Sequence, residues 1–118
     1  MTQQEQHVVA VAVDGDLVGR RWGRAARVAV AVVAGEEITA WTEHDVRWDE
    51  AHDSGTEGAH HARVVRFLKE HEIQMVVVDH VGQGMENTLN KLGLTVVLGA
   101  GGPARDAVLA AVRSTTQT

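Results

Sequence analysis

Residues 73–98, IQMVVVDHVGQGMENTLNKLGLTVVL, constrain the fold more than any other stretch of the chain. Two apolar runs, Ile73–Val78 and Leu94–Leu98, flank a segment of helical pattern, Gln83–Leu92, that stops at Gly93. Runs rich in β-branched residues read as buried strands. Glycine just past a helix is a natural stop, because it takes the left-handed conformation without a Cβ clash. A strand, a helix and a second strand joined this closely imply parallel pairing with a right-handed crossover. The chain is therefore read as α/β.

The segment upstream adds strands of another kind. His7–Val13 (HVVAVAV) is apolar and β-rich. Asp14–Arg24 (DGDLVGRRWGR) is a turn-rich connection containing three glycines. Ala25–Ala34 and Glu37–His44 flank Gly35–Glu36 and predict an antiparallel hairpin. Asp45–Gly58 is polar and acidic, with Trp48 inside it, and reads as a loop. Ala59–Glu72 is helical, with Val64, Val65 and Leu68 as its apolar stripe and His61 extending that stripe backward. Pro103 suits the first turn of a last helix, Ala104–Arg113, and the polar tail Ser114–Thr118 is expected to fray. The order β-β-β-α-β-α-β-α predicts one five-stranded mixed sheet with spatial order 3-2-1-4-5 and helices on its faces. Residues 1–118 are expected to form a single domain.

Composition excludes several function classes. The net charge is −5, so a sequence-independent nucleic-acid binder, which needs a basic face, is not expected. There is no cysteine, which removes disulfides and thiolate ligands to zinc or iron. The polar start MTQQEQH holds no signal-peptide core, and no apolar run is long enough for a membrane span, so a soluble cytoplasmic protein is expected. Nucleophilic hydrolysis has no support: there is no G-x-S-x-G elbow, and the serines are Ser54 and Ser114.

Strand direction places the polar residues. If the first strand ends at a top edge, then Asp14–Arg24, His44–Gly58, His60–His61, Asp79–Met85 and Gly99–Pro103 all gather there. Ligands of open α/β sheets bind at the C-terminal ends of parallel strands. Arg20, Arg21 and Arg24, with nearby helix N-termini, suit an anion, or are solvated loop charges. His52, His60, His61 and His80 could converge on the same edge, as metal ligands or as histidines satisfied by carbonyls. By the helical stripe His61 points inward, while His60 leans toward Phe67 and His71. Asp14 and Asp79 end neighbouring strands and could hold Mg²⁺, or simply cap turns. Gly82-x-Gly84 lacks the third glycine or alanine of a dinucleotide fingerprint, since position 87 is asparagine. Those glycines more simply permit a tight turn and close backbone approach.

The residues also carry a resemblance. Arg21-Trp22-Gly23-Arg24-Ala25 resembles the R-F-G-R-A signature of the dinitrogenase iron–molybdenum cofactor-binding family, the NifX-like nitrogenase cofactor accessory proteins and their small relatives. Glu57–Ala62 resembles that family's start of its first helix, VVVDHVGQGMENTLNKLGLTVV its strand–glycine loop–helix segment, and GAGGPARDAVLAAV its closing loop and helix. Trp22 stands where the family has phenylalanine. The resemblance implies an RNase H-like α/β fold. It also implies a non-enzymatic protein that binds or carries a metal or an iron–sulfur or iron–molybdenum-type cluster, with a cluster-transfer protein as partner. On that reading Arg21, Trp22, Gly23, Arg24, Gly82 and Gly84 contact the cluster. His61 and His80 are the leading metal ligands, with His60 and His52 behind them, and a simple divalent metal is the lesser cargo. The competing expectations are a small Mg²⁺-dependent phosphoryl-transfer or nuclease-like domain built on Asp14 and Asp79, and an interaction module without a ligand. The oligomeric state is not legible.

Overall fold

The structure, a computed structural model, describes residues 6–51 and 57–116. Its strands are β1 (Gln6–Asp14), β2 (Leu17–Val18), β3 (Arg27–Ala34), β4 (Glu37–Asp45), β5 (Met75–Val77) and β6 (Thr95–Val97). Its helices are α1 (Trp48–Ala51), α2 (Glu57–Glu70), α3 (Gln83–Lys91) and α4 (Ala104–Thr116), and a short 3₁₀ turn covers Trp22–Arg24. The sheet order is β4-β3-β1-β5-β6, with β2 paired to β1 outside that path.

The expected sheet of five strands in order 3-2-1-4-5 needs correction, because there are six strands and the numbering changes with them. The five segments read as strands keep their neighbours. β1 pairs antiparallel with β3 (Val9 opposite Ala31) and parallel with β5 (Val9 opposite Met75), and β5 pairs parallel with β6. The addition is β2, which folds back so that Val13 faces Val18 and Asp14 faces Leu17. Gly15, at φ 62°, makes that reversal possible without a Cβ clash. An apolar pair on each side of Asp-Gly was a hairpin signal inside the segment read as a connection.

Other boundaries also move. The segment read as a loop contains α1, where Trp48 is buried. α4 continues past Arg113 to Thr116, so the expected frayed tail is helical for most of its length. β5 and β6 are shorter than the apolar runs that announced them, but Ile73 and Val78 remain buried beyond the ends of β5.

Side-chain alternation gives the sheet two apolar faces. Val9, Val11 and Val13 of β1, with Ala29, Ala31 and Val33 of β3, face α4 through Val108, Ala111 and Val112. Ala10 and Ala12 of β1 face the other way, with Val28, Val76 and Val78, toward α2 (Val64, Leu68) and α3 (Met85, Leu89). The small alanines on that second face leave room for two fully buried indoles, Trp22 and Trp48. Among the described residues no helix is long and apolar enough to cross a membrane.

Candidate functional site

The site is built around the arginine turn. Trp22 has no exposed surface and packs edge-on against Trp48, with ring centroids 5.2 Å apart. That anchor forces its neighbours Arg21 and Arg24 outward, and both are exposed. The turn is also stitched to the sheet. Arg21 forms a parallel bridge with His80, the Trp22 N–H donates to the His80 carbonyl at 3.0 Å, and the Gly19 N–H donates to the Ala12 carbonyl at 2.8 Å. Gly19–Trp22 therefore threads between the upper ends of β1 and β5. A Cβ on Gly19 would stand 3.4 Å from that of Ala12, in van der Waals contact.

Beside this turn lies a cleft of about 330 Å³. Arg21, Gly23 and Arg24 form one wall, His60 and His61 from the first turns of α2 a second, and His80 to Met85 a third. The third wall includes the start of α3. Gly82 is its N-cap residue and offers no side-chain cap, and the first intrahelical bond from this end runs from the Glu86 N–H to the Gly82 carbonyl at 2.9 Å. The N–H groups of Gln83, Gly84 and Met85 precede that bond and have no partner within the helix. Among the described residues neither Arg21 nor Arg24 has a carboxylate within ion-pair distance, whereas Arg27 is held by Asp45 at 3.0 Å and Glu43 at 3.4 Å. Those hydrogen bonds, led by the one Arg27 donates to Asp45, push the Arg27 pKa further up. The cleft thus concentrates positive charge and open N–H donors in an acidic protein.

The histidines distribute differently from expectation. His60, not His61, is the inward residue. It is 4% exposed, and its Nε2 lies 2.7 Å from the Gly23 carbonyl. A carbonyl only accepts, so Nε2 carries the proton and cannot coordinate a metal while this bond stands. The missed signal was the i, i+4, i+8 line His60–Val64–Leu68, which outranks the shorter stripe through His61. His61 is partly buried, and it lines the cleft with the exposed His80. His52 lies outside the described residues. His44, expected at the site's edge, packs instead against Phe67 and His71, with ring centroids at 5.5 and 4.5 Å. Burial, aided by His71, lowers the His44 pKa. Among the described residues no three His, Asp or Glu side chains are grouped to hold a metal ion.

The two cleft glycines do not make the expected tight turn. Gly82, at φ −67° and ψ 153°, is in extended backbone that any residue can adopt, and a Cβ on it would meet nothing within 4 Å. Neither Gly82 nor Gly84 takes a positive φ. Gly82 is therefore not required by a turn, and its bareness keeps the cleft and the α3 N-terminus open.

Asp14 and Asp79 do not form the expected pair. Asp14 sits opposite Leu17 in the β1–β2 hairpin and lines a second cleft with Arg20, Arg21 and Arg24. Asp79 is exposed past the end of β5, with Gly19–Trp22 threaded between the two strand ends. Nor does Gly99–Pro103 reach the first cleft. The Gly102 carbonyl accepts from Val18, and Pro103 bridges Leu17, so this loop serves β2.

A family model described as dinitrogenase iron-molybdenum cofactor matches residues 5–114. The chain belongs to this family. Solved structures share the fold of this dinitrogenase iron-molybdenum cofactor family member. The apo form of the orange protein from Desulfovibrio gigas superposes with a TM-score of 0.71 at 22% identity, over 94% of this chain and 91% of that one. The protein PH0822 gives 0.72 at 22% identity, over 91% and 89%. The protein MJ0327 of Methanocaldococcus jannaschii gives 0.65 at 12% identity, over 100% and 95%. No curated protein matches the chain at a comparable level. The family match spans the whole arginine turn, α2 and α3, so the elements that wall the cleft are family elements.

Proposed function

We propose that the protein binds and carries a preformed anionic metallocluster, of the iron–sulfur or iron–molybdenum type, and is not an enzyme. The cluster is cargo rather than a resident cofactor, and the functional unit is the single domain over residues 1–118, on an RNase H-like fold. The observation that carries this reading is one cleft that joins Arg21 and Arg24 to His61, His80 and the open start of α3. A bare divalent ion would find too few ligands there: two imidazoles hold a metal weakly, and the described residues group no third donor. A cluster that arrives with its own sulfide ligands needs charge neutralisation and one or two protein ligands. Guanidinium groups and open backbone N–H groups supply the first. His61 and His80 supply the second. The absence of cysteine agrees with cargo that must leave again, since thiolates would bind it more tightly. A partner that delivers or receives the cluster follows from the same logic, and the cytoplasm suits such an exchange.

The test is a titration with tetrathiomolybdate, a molybdenum–sulfide dianion, followed by dialysis and metal analysis under anaerobic conditions. The wild type should bind it, less tightly as salt rises. The double change Arg21→Ala with Arg24→Ala should weaken binding by roughly ten- to a hundredfold, since charge-assisted contacts are the strong ones. Circular dichroism should remain that of the folded protein, because both side chains are exposed. Equal binding by the double variant would reject the cleft as the site.

A further inference from the structure

The 3₁₀ turn that presents the arginines is short and loosely closed. Its internal bonds, from the Arg24 N–H to the Arg21 carbonyl and from the Ala25 N–H to the Trp22 carbonyl, measure 3.3 and 3.2 Å. Its N-cap residue, Arg21, makes no side-chain cap. Three residues of 3₁₀ helix cannot hold two long cationic side chains in register by themselves. The turn is tied from outside instead, by the Trp22 ring in the core, by the Trp22 N–H on the His80 carbonyl, and by His60. The His60 bond is the shortest of these contacts at 2.7 Å, and it ends on Gly23, the residue between Trp22 and Arg24. It is also the tie that reaches the turn from α2. His60 is 4% exposed, so this bond forms away from competing water and cannot be exchanged for solvation without cost.

We propose that His60 is a positioning residue for anion binding: it locks the Arg21–Arg24 turn to α2 through the Gly23 carbonyl, and it is not itself a ligand to the cargo. The proposal rests on the reading of the cleft given above and makes a finer assignment within it. Two observations separate the role from ligation. The Nε2 atom is occupied as a donor to a carbonyl, which leaves the ring's lone pair on Nδ1, and Nδ1 is buried with no exposed surface to meet a cargo. The residue that instead turns an imidazole toward open cleft space is His80, which is exposed. The role also explains why an imidazole occupies a buried helix position otherwise continued by Val64 and Leu68. An aliphatic residue there would fill the volume but leave the Gly23 carbonyl without this donor. Gly23 does not need to be glycine for the contact, since a Cβ there would stand 3.7 Å from the His60 Nε2, an ordinary separation. The bond uses the backbone carbonyl alone.

The experiment compares wild type, His60→Gln, His60→Leu, Arg21→Ala/Arg24→Ala, and the triple variant His60→Leu/Arg21→Ala/Arg24→Ala. Glutamine can place an N–H donor near the position of Nε2, whereas leucine keeps bulk and removes the donor. Two quantities are read: affinity for tetrathiomolybdate, and amide hydrogen exchange at Arg24 and Ala25. His60→Leu should lose about tenfold in affinity, the equivalent of one hydrogen bond's net free energy. His60→Gln should recover most of it. In the background without the arginines, His60→Leu should cost nothing further, because residues acting through one another are not additive. The Arg24 and Ala25 amides should exchange faster in His60→Leu and recover in His60→Gln, while those of β1 and β3 are unchanged. Undiminished affinity in His60→Leu would overturn the proposal. So would a glutamine variant as weak as leucine, or a loss that persists without the arginines, since neither fits a role exerted through the Gly23 bond and the arginine turn. If the wild type binds no probe, the reading of the cleft falls and the positioning role falls with it. The exchange data then still judge the lock: equal rates in wild type and His60→Leu would show that the bond does not hold the turn.

Discussion

Gly82 and Trp22 occupy opposite ends of the site's physical logic. Trp22 is wholly buried, yet its indole N–H meets no acceptor among the described residues. An unpaired buried donor costs about 1–3 kcal/mol. Burial of the large ring and its edge contact with Trp48 offset that cost. Phenylalanine, the residue of the R-F-G-R-A signature, would carry no such penalty and less area. Gly82, by contrast, is exposed and unconstrained. As the N-cap of α3 without a side-chain cap, it leaves helix N–H groups uncovered. Gly82→Ser would place a hydroxyl on those groups. We expect the variant to be more stable by a few tenths of a kcal/mol, the usual gain of serine over glycine at this position. The same hydroxyl should weaken tetrathiomolybdate binding, because it occupies donors that the cleft otherwise offers to an anion. Thermal melts and dialysis on one sample check both. A stabilised variant with undiminished affinity would show that the α3 N-terminus takes no part in binding.

At the scale of elements, α2 joins two otherwise separate features. Near its start, His60 reaches the arginine turn. Just past its end, His71 lies against His44 of β4, with Phe67 4.5 Å away across the same small cluster. Burial, and secondarily the charge of His71, lowers the His44 pKa from the ordinary 6.5. The folded state therefore prefers neutral His44, and the unfolded chain takes up its proton first as pH falls. The stabilisation is fully present above about pH 6.5 and is lost as pH drops from there through the lower folded-state value. The melting temperature should fall between pH 7.5 and pH 5, and His44→Gln should flatten part of that slope. Equal slopes for the two proteins would remove His44 from the pH response. The spacing of α2 is legible in the chain, but its inward face falls one residue before the stripe that runs through His61. His60 and His61 are about 100° apart on the helix, and both the line His60–Val64–Leu68 and the contact with the Gly23 carbonyl favour His60.

For the whole molecule, β1 is the organising strand. It pairs with β2, β3 and β5, and both of its faces are covered, by α4 on one side and by α2, α3 and the two buried indoles on the other. β4 and β6 are the sheet edges, and much of β4 is exposed. Amide exchange should therefore be slowest at Val9–Val11, which opens only with global unfolding, and faster along β4 and β6. Exchange at Val96 and Val97 as slow as at Val9–Val11 would contradict this ordering. The two faces also separate duties. The cleft stands on the α2 and α3 side, whereas α4 covers the face of Val9, Val11, Val13 and Ala31.

The apolar runs and their glycine stops were enough to announce five strands, three helices and their neighbours, because strand burial and helix termination are local properties of side chain and backbone. The same pattern placed Arg21, Arg24, His61, His80, Gly82 and Gly84 on one edge, since strand direction follows from hairpins and crossovers. Contacts between distant segments were beyond that reach. The threading of Gly19–Trp22 between β1 and β5, which separates Asp14 from Asp79, depends on single backbone hydrogen bonds with no periodic signature. The acceptor that the inward His60 meets is a carbonyl 37 positions away. Burial of Trp48 inside an acidic, loop-like stretch depends on the space beside Trp22 that Ala10 and Ala12 leave open. Each of these is a matter of volumes and donors meeting in three dimensions, which local composition does not encode.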